Sequence, residues 1–425
     1  MRIAVVGSGV SGLVAARELA REHEVDVFEA ADRPGGHVHT HTLDIDGRQV
    51  NVDTGFIVFN AKTYPGFCAL LRELGVESRP SDMGLSVHCE RTGIEYNGRD
   101  LRTVFAQPSN LFRPSFHKML LEILRFHREA PELLDGGGPE TSLREWLDQR
   151  GYAAVFRELY LEPMAGAIWS APLGEVQSFP ARFLARFLAN HGMLQVEGRP
   201  QWLTVRGGSK AYVDRLLATY RGRIHLSTAV QVVLRNGAGV DLVLEGGERR
   251  SFDQVVLATH TDVSLRLLAT PTREEREILG AIRYQANEAV LHTDPVLMPR
   301  RAKCWASWNC RTPAQRSPGV SAPVPVTYWM NRLQGLDVPT DLFVTLNASE
   351  RIDPARVLRR MTYHHPQFGV ESPGAQASLA RIQGVKNTWF CGAWAGFGFH
   401  EDGLSSAMTV ARALRAGARP VEALA

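Results

Sequence analysis

The sequence predicts an α/β fold in which a parallel-sheet domain is interrupted by inserted α+β segments. Three observations predict it. The chain opens with a strand, a glycine-rich turn, a helix and a second strand, MRIAVVGSGVSGLVAARELAREHEVDVFEA. Short strands with alternating apolar residues recur over residues 224–258, and the chain closes with a further strand and helix, KNTWFCGAWAGFGFHEDGLSSAMTVARAL. Strands so far apart can share one sheet only if long insertions separate them.

Length and composition are those of a globular enzyme with a sizeable core. The 425 residues predict two to three domains. Hydrophobic residues make up 44% and charged residues 22%, which is ordinary for a soluble protein. The formal net charge is only +3 and no basic cluster suggests nucleic acid, which is therefore not an expected partner.

Several features predict a cytoplasmic protein. The five cysteines are odd in number and lack the paired spacing of a metal site, which indicates a reducing compartment. Met1 leads directly into a strand, so no signal peptide is predicted. No apolar run reaches the ~18 residues that span a bilayer. A peripheral contact with the inner face of a membrane remains open.

The glycine turn predicts a dinucleotide site in a Rossmann-like domain. Ile3–Val6 form a short buried strand, and G-x-G-x-x-G follows it. Gly7 permits the tight turn, Gly9 lets the backbone approach a pyrophosphate, and Gly12 lets the helix pack closely on the strand. The first turn of the helix, which contains Ser11, offers free N–H groups and a positive dipole end to the phosphates. We expect these three glycines and Ser11 to bind the cofactor.

The residues after the second strand favour FAD over NAD. Glu29 ends that strand, where an acid can bind the hydroxyls of the adenosine ribose. Arg33, Gly35 and Gly36 follow directly. A second glycine pair at this point lets the chain pass close to the middle of the cofactor.

This arrangement resembles the glutathione-reductase-type FAD fold, and within it the flavin amine oxidase and phytoene desaturase superfamily. The resemblance places Glu29 on the adenosine ribose, and Arg33 and the Gly35-Gly36 pair near the pyrophosphate and ribityl chain. A turn in VNVDTGFIVFN completes the pattern. The further cofactor contacts predicted on this basis are Asp53, Gly55 and Val230, the last through backbone atoms against adenine.

His37, His39 and His41 alternate along the chain. On a strand they would share one face, where a metal site is conceivable. Without acidic or cysteine partners they are better interpreted as strand-face residues, and no metal is predicted. The superfamily usually has arginine after the glycine pair, so His37 predicts a different group beside the flavin.

The stretch GFGFHEDGLSSAM, residues 396–408, predicts the opposite end of the cofactor site. Asp402 is predicted to cap a helix that starts near Gly403, whose positive end would stabilise the negative charge of a reduced flavin. Adjacent residues cannot converge on one ion, so the His-Glu-Asp run is not a metal site. His400 and Glu401 are the candidates for a catalytic base; the alternative is that they only pack around the cofactor.

In the superfamily a glycine equivalent to Gly392 ends a strand beside the cofactor. The resemblance also implies that the final helix points its N-terminus at the flavin ring. Gly392, Asp402, Gly403 and Leu404 are therefore predicted to contact FAD.

The domains are predicted to be discontinuous. The FAD-binding domain comprises residues 1–60, 200–265 and 381–425, and the substrate domain comprises residues 61–199 and 266–380. The insertions carry Phe and Trp but few charge clusters, which predicts a mostly apolar tunnel to the flavin.

A phenylalanine stripe lies in the first insertion, in SFPARFLARFLANHGML. Phe179, Phe183 and Phe187 are four residues apart, with Arg182 and Arg186 beside them. Such a stripe is typical of a core helix. Arginine beside exposed phenylalanine would instead be typical of a helix that lies on anionic lipid.

FCGAW-x-G-x-GFHEDGL, together with YHHP, AQASLARIQG and SWN, is similar to flavoproteins encoded beside cyclopropane-fatty-acid-synthase-type methyltransferases. It also resembles the N-terminal flavin domain of plant cyclopropane synthases. Bacterial members are implicated in desaturating methylated acyl chains of phospholipids, on the route to furan fatty acids. The resemblance therefore implies a lipid acyl chain or phospholipid as substrate and a lipid methyltransferase as a candidate partner.

Two departures from amine oxidases weigh against an amine substrate. Those enzymes carry a lysine near the reactive flavin nitrogen, but no lysine occurs here from residue 256 to 281, and His260 follows the strand. Ala393 stands where an acid is common. The expected function is an FAD-dependent oxidoreductase that transfers a hydride from an acyl chain to the flavin and a proton to a base. The alternatives are an amine oxidase and a non-catalytic flavin-binding partner of a lipid methyltransferase.

Overall fold

A computed structural model describes residues 1–135, 140–314 and 324–417, so the last eight residues of the predicted FAD-binding domain lie outside the described part. The strands, in chain order, are β1 Arg2–Val6, β2 Glu24–Phe28, β3 Thr40–Ile45, β4 Arg48–Asp53, β5 Val58–Asn60, β6 Ser78–Ser81, β7 Leu85–Cys89, β8 Ile94–Asn97, β9 Trp202–Val205, β10 Arg223–His225, β11 Val230–Arg235, β12 Val240–Leu244, β13 Arg249–Phe252, β14 Gln254–Leu257, β15 Ile282–His292, β16 Trp308–Thr312, β17 Val326–Trp329, β18 Phe343–Leu346, β19 Val357–Phe368 and β20 Thr388–Phe390.

The α-helices, in chain order, are α1 Val10–Leu19, α2 Pro65–Glu73, α3 Leu101–Val104, α4 Pro114–Glu129, α5 Glu132–Asp135, α6 Leu143–Gln149, α7 Ala154–Phe156, α8 Glu162–Trp169, α9 Leu173–Val176, α10 Ala181–Asn190, α11 Lys210–Thr219, α12 Thr261–Leu267, α13 Arg273–Gly280, α14 Met330–Leu333, α15 Ser372–Ala377 and α16 His400–Arg415. A π-helical turn, Arg157–Leu161, joins α7 to α8.

A five-stranded sheet draws its strands from three separate parts of the chain. Its order is β10-β2-β1-β14-β20, and every neighbouring pair is parallel. The strands are apolar on both faces, as expected of a sheet that helices cover on both sides. Because they are parallel, their carboxyl ends meet at one edge, where ligands bind in such sheets.

The two insertions share one antiparallel-rich sheet. Its order is β19-β15-β18-β17-β16-β7-β8. Strands β7 and β8 come from residues 61–199 and the other five from residues 266–380, joined where β7 runs parallel to β16. The long pair β15 and β19 is in register from Ile282 opposite Phe368. Residues 357–368 therefore run from the outer part of this sheet toward the Rossmann-like part.

The phenylalanine stripe belongs to the core. Phe179, Phe183 and Phe187 are 2%, 7% and 3% exposed. Their rings surround Trp169 at centroid distances of 5.4, 6.1 and 4.7 Å. The apolar face of α10 is thus used inside the protein and is not an exposed surface that could lie on a bilayer. Among the described residues, no helix is both long and apolar enough to cross a bilayer.

The last helix begins earlier than the sequence predicted. Helix α16 starts at His400, with Phe399 at the N-cap, so the prediction that Asp402 caps a helix starting near Gly403 is wrong. Asp402 is the third residue of the helix, and its Oδ2 accepts the backbone N–H of Phe399 at 2.9 Å. The carboxylate thus accepts a backbone N–H that has no partner within the helix, as the third helical residue does in a capping box.

Candidate functional site

The glycines of the first turn have distinct steric roles. Gly7 has φ +101°, and a Cβ there would lie 2.8 Å from the carbonyl oxygen of Ala258. A Cβ on Gly12 would overlap the carbonyl oxygen of Gly7, so helix α1 packs directly on the turn. A Cβ on Gly9, in contrast, would meet no protein atom within 4 Å. Open space beside the N-terminus of α1 is what a bound pyrophosphate requires.

The second glycine pair packs against the first turn. The N–H of Gly35 donates to the carbonyl oxygen of Ser8 at 2.9 Å, and a Cβ on Gly36 would lie 2.9 Å from the Cα of Gly9. Arg33 donates to the carbonyl oxygens of Val38 and Gly36 at 2.8 and 3.0 Å. Arg33 therefore clamps the loop that borders the open space, and its guanidinium is already engaged within the chain.

Glu29 lies at the carboxyl edge of the parallel sheet. Its Oε2 accepts the backbone N–H and the hydroxyl of Ser8 at 2.9 and 2.6 Å, and its Oε1 accepts the N–H of Ala31 at 2.9 Å. The N–H of Thr228 donates to the carbonyl oxygen of Glu29, which brings the start of β11 at Val230 close to the acid. The two predicted adenosine contacts are thus adjacent.

Asp53, a predicted cofactor contact, is fully buried and holds segments of the chain together. It ends β4, and its carboxylate accepts from the backbone N–H of Ser209 at 2.9 Å and from the side-chain amide of Gln334 at 3.1 Å. Burial raises the pKa of Asp53 to about 7. The carboxylate therefore ties distant segments of the chain together. Gly55 is required for close packing, because a Cβ there would overlap the carbonyl oxygen of His37.

The first and last helices cross where both approach the cofactor space. A Cβ on Gly403 would lie 2.8 Å from the Oγ of Ser11. A Cβ on Gly392 would overlap the indole of Trp394, whose Nε1–H donates to the carbonyl oxygen of Thr259 at 3.1 Å. The glycine at position 403 therefore lets α16 start beside the glycine turn, and Gly392 leaves room for the indole of Trp394.

Leu404 packs away from that crossing. A Cβ on Gly66 would lie 2.8 Å from the Cδ2 of Leu404, so the leucine side chain contacts α2. If Leu404 contacts the cofactor as predicted, it does so through backbone atoms.

His400 is enclosed by aromatic side chains. Its Nε2 is 2.9 Å from the hydroxyl of Tyr212, and its ring stacks on Phe56 with a centroid distance of 3.4 Å. Phe67 approaches it edge-on at 5.6 Å. Burial lowers the pKa of His400 to about 3, so the ring is neutral near pH 7 and a weak base.

Glu401 caps a neighbouring helix. Its Oε1 accepts the N–H of Gly66 at 2.8 Å and its Oε2 accepts the N–H of Phe67 at 2.9 Å. Both donors belong to the first turn of α2, where N–H groups lack partners within their own helix. This geometry favours structural roles for the two predicted base candidates.

A histidine pair beside the second glycine turn was not predicted as a unit. The Nε2 atoms of His37 and His365 are 3.3 Å apart. His37 is solvent-accessible, yet the surrounding protein and His365 hold its pKa well below the usual value. That combination is expected of a side chain that faces an internal void. YHHP, which contains His365, stood out in the sequence only as a family-like motif.

Hydrogen bonds assign the tautomers of this pair. The amide nitrogen of Asn287 donates to the carbonyl oxygen of Gln285, so it is also the donor to Nδ1 of His365 at 3.1 Å. His365 then carries its proton on Nε2 and donates to Nε2 of His37. His37 in turn carries its proton on Nδ1, which has no protein partner among the described residues. His37 therefore carries a neutral N–H donor that no group in the described part of the chain accepts.

A cavity of about 440 Å³ lies next to the start of α16. Phe399, the residue before α16, is part of its wall, and Trp308 is the contribution of the second insertion. The other lining residues are Val58, Tyr64, Ser81, Asp82, Met83, Gly84, Leu85, Tyr96, Gly98, Arg99, Tyr160, Met164, Ala167, Ile168, Phe187, His191, Met193, Arg199, Pro200, Gln201 and Trp202. The wall is mainly apolar and aromatic, and most of it comes from the first insertion.

The negative charge on this wall is neutralised, whereas Arg99 and Arg199 add positive charge to it. Asp82 is the one carboxylate among the described lining residues, and Arg332 donates to it at 2.7 Å. Burial lowers the pKa of His191 to about 4, so that ring is neutral at pH 7. Within the described residues, no three His, Cys, Asp or Glu side chains are grouped so as to hold a metal ion.

A family model described as "Flavin containing amine oxidoreductase" matches residues 10–336. The chain belongs to this family. Among curated relatives, the "Putative flavin-containing monoamine oxidase AofH" of Mycobacterium tuberculosis is 25% identical over 84% of this chain and 72% of its own. The flavin-containing amine oxidoreductase family binds FAD, and the glycine turns, Glu29 and the open space at Gly9 fit that cofactor.

Solved structures share the fold over nearly the whole chain. A putrescine oxidase variant superposes with a TM-score of 0.71 at 18% identity, covering 98% of this chain and 100% of its own. A fatty acid isomerase from P. acnes superposes with a TM-score of 0.67 at 17% identity, covering 97% of this chain and 98% of its own. This member of the family is thus an FAD-dependent oxidoreductase with a mixed α/β fold.

Proposed function

We propose that this flavoprotein desaturates an acyl chain of a phospholipid, with a methylated acyl chain as the substrate. The wall of the 440 Å³ cavity carries the proposal. An ammonium substrate would lose its hydration there without gaining a free carboxylate, because Asp82 is already paired with Arg332. A hydrocarbon chain, in contrast, gains from burial against aliphatic and aromatic side chains.

Desaturation removes one hydride and one proton from adjacent carbons and leaves a double bond between them. FAD bound at the site supplies the acceptor of the hydride. We propose that the proton passes to solvent, because Glu401 is engaged by two backbone amides and the pKa of His400 is about 3. A proton acceptor works best when its pKa is near the operating pH.

The residues of the chain position the substrate. Phe399 lies on the cavity wall and directly precedes α16, so an acyl chain that fills the cavity ends beside the cofactor space. Phe187 and Tyr64 lie on the same wall and offer aromatic surface to the chain. The neutral N–H of His37 would face the cofactor, in place of the arginine common in the superfamily.

The comparisons support an apolar substrate in one respect. One structural neighbour is a fatty acid isomerase, so this fold accommodates an acyl chain in at least one protein. Amine oxidation is the second candidate, since the aromatic rings of the wall could bind a cation through their faces and a monoamine oxidase is among the relatives. A flavin-binding partner of a lipid methyltransferase is the non-catalytic candidate.

Anaerobic mixing of the FAD-loaded protein with separate substrates tests these three candidate functions. The substrates are phospholipids with methylated acyl chains, the matching unmethylated phospholipids, and a panel of mono- and diamines. We expect methylated lipid to bleach the flavin and mass spectrometry to show acyl chains that lack two hydrogens. Bleaching by amines alone would establish the amine oxidase, and bleaching by neither class would favour the non-catalytic partner.

A further inference from the structure

An exposed apolar surface lies on α3, the turn after it and α4. Among the described residues ten large hydrophobic side chains are exposed, and five of them fall within residues 101–124. We call this set the α3–α4 surface. Its members are Leu101, Leu111, Phe112, Leu121 and Leu124, which are 76%, 50%, 84%, 68% and 54% exposed.

These side chains share one side of the molecule. Phe105, just after α3, packs against Phe116 and His117 of α4 at 5.8 and 6.0 Å, and the ring of His117 bonds the carbonyl oxygen of Leu111 at 2.8 Å. Positions 117, 121 and 124 lie on one face of a helix, opposite the buried Phe116 and Met119. The exposed leucines of α4 therefore continue the patch that Leu111 and Phe112 begin.

The same segment is basic. Residues 99–128 contain six cations, Arg99, Arg102, Arg113, Lys118, Arg125 and Arg128, against the carboxylates of Asp100 and Glu122, and Glu122 is buried. Arg102, Lys118 and Arg128 are exposed and have no ion-pair partner in the described part of the chain. Exposed apolar side chains flanked by unpaired cations are typical of a segment that lies on an anionic lipid surface.

The cavity opens beside this surface. Four of its lining residues are exposed, Gly98, Arg99, Arg199 and Gln201, and they mark the mouth. Arg99 is two residues from Leu101. Arg199 is close enough to α4 for its charge to lower the pKa of His127. The mouth therefore carries two arginines that suit a headgroup phosphate, with the apolar surface at its side.

We propose that the α3–α4 surface docks the protein on an anionic phospholipid bilayer, with the mouth of the cavity facing the lipid. An acyl chain would leave the bilayer next to Leu101 and enter between Arg99 and Arg199. A second copy of the chain fits poorly, because a two-fold contact would place like charges against each other. The inference rests on the proposed function in that it explains how a bilayer lipid reaches the cavity.

Vesicle flotation with the FAD-loaded full chain tests the docking. Vesicles contain phosphatidylcholine alone or mixed with phosphatidylglycerol, at low and high salt. We expect binding to the anionic vesicles, weakened by salt. The double variant Phe112→Ser, Leu121→Ser should lower the partition coefficient by about tenfold or more, because two apolar side chains no longer enter the interface. Its matched control is Val296→Ser, Val370→Ser, which changes exposed valines outside the surface.

The charge arm uses Arg102→Gln, Lys118→Gln against the control Arg249→Gln, Arg283→Gln, whose side chains are exposed elsewhere. The first pair should lower binding about tenfold at low salt and much less at high salt. Equal losses in test and control variants, or no binding of the wild type to anionic vesicles, would overturn the proposal. The proposal would also be overturned if, without vesicles, the variant Phe112→Ser, Leu121→Ser had a lower sedimentation coefficient than the wild type, because the α3–α4 surface would then be a self-association surface.

Flotation does not depend on catalysis, so the two proposals fail separately. If the protein does not bind vesicles but its flavin is reduced by detergent-dispersed lipid, only the docking proposal is overturned. A protein that binds vesicles but is reduced by no lipid would overturn the desaturase alone.

Discussion

The Nε2 atoms of His37 and His365 lie 3.3 Å apart, although 328 residues separate the two histidines. Asn287 fixes the tautomer of His365, and through it that of His37. His37 therefore presents a neutral N–H donor where a cation is usual in the superfamily. A neutral donor stabilises negative charge on a reduced flavin without holding a permanent positive charge beside the cofactor.

Replacing His37 should change the redox properties of the flavin more than its binding. His37→Phe keeps an aromatic ring and removes the donor. A hydrogen bond to a charged group contributes about 1.5–3 kcal/mol, which for a two-electron couple corresponds to a midpoint potential lower by about 30–60 mV. The measurement is anaerobic redox titration at equal FAD content. The control is His364→Phe, which changes an exposed neighbour of His365. An equal midpoint potential in His37→Phe and the wild type would contradict the role of His37 as a donor to the flavin.

His400 should make stability depend on pH. Its folded-state pKa of about 3 lies below the unfolded value of about 6.5, so its contribution is complete above pH 6.5 and is lost as pH falls toward 3. His400→Phe keeps the stacking on Phe56 and removes the titration. Below pH 6.5 the free energy of unfolding of the wild type should fall relative to the variant by about 1 kcal/mol per pH unit. Denaturant unfolding at pH 7, 6 and 5 measures it, and a constant difference would exclude the buried neutral histidine.

Glu401 should matter more to stability than to catalysis. Glu401→Gln replaces one acceptor of the α2 cap with an amide that faces a backbone N–H, at a cost of about 1–3 kcal/mol in the free energy of unfolding. The rate of flavin reduction should stay within about tenfold of wild type. The control is Glu350→Gln at an exposed site. A loss of 100-fold or more in rate with unchanged stability would restore Glu401 as the base, since that is about the range for a positioned proton acceptor.

The contrast between Gly12 and Glu401 shows what sequence reasoning could reach. At Gly12 the need for glycine is set by the carbonyl oxygen of Gly7, five residues earlier, and at Gly7 the positive φ of +101° already favours glycine, so a local motif reveals both. Glu401 caps a helix 334 residues earlier in the chain, and no spacing rule reports such a partner. The error at Asp402 has a local reason. Aspartate is a preferred N-cap, which accepts N–H groups of the residues that follow it, but here the carboxylate is at the third helical position and accepts the N–H of the preceding Phe399.

Gly9 should control flavin content without controlling the fold. Because a Cβ there meets no protein atom, Gly9→Val should fold normally while its side chain fills the space for the pyrophosphate. We expect purified protein with little or no flavin absorbance and a wild-type far-ultraviolet circular dichroism spectrum. The control is Gly374→Val, where a Cβ also meets nothing within 4 Å but no cofactor is expected. Full flavin content in Gly9→Val would contradict the placement of FAD.

Filling the cavity should block a long substrate more than a short one. Ile168 lines the cavity from α8, and Ile168→Trp places an indole in a space of about 440 Å³. An acyl chain needs the length of the cavity, so kcat/KM for phospholipid should fall by about tenfold or more, as expected when about 1.4 kcal/mol of burial is lost. A small amine would still reach the cofactor space beside Phe399. Flavin content should not change, because the indole would lie in the cavity and outside the glycine turns.

The matched control is Ile123→Trp, a half-buried isoleucine of α4 outside the cavity wall. It separates cavity filling from the general cost of an added aromatic ring. Steady-state kinetics with phospholipid and with amines on both variants complete the test. If Ile168→Trp and Ile123→Trp lose phospholipid turnover equally, the effect is loss of packing, and the cavity is not the path of the acyl chain. If Ile168→Trp leaves lipid turnover intact, the acyl chain reaches the flavin by another route.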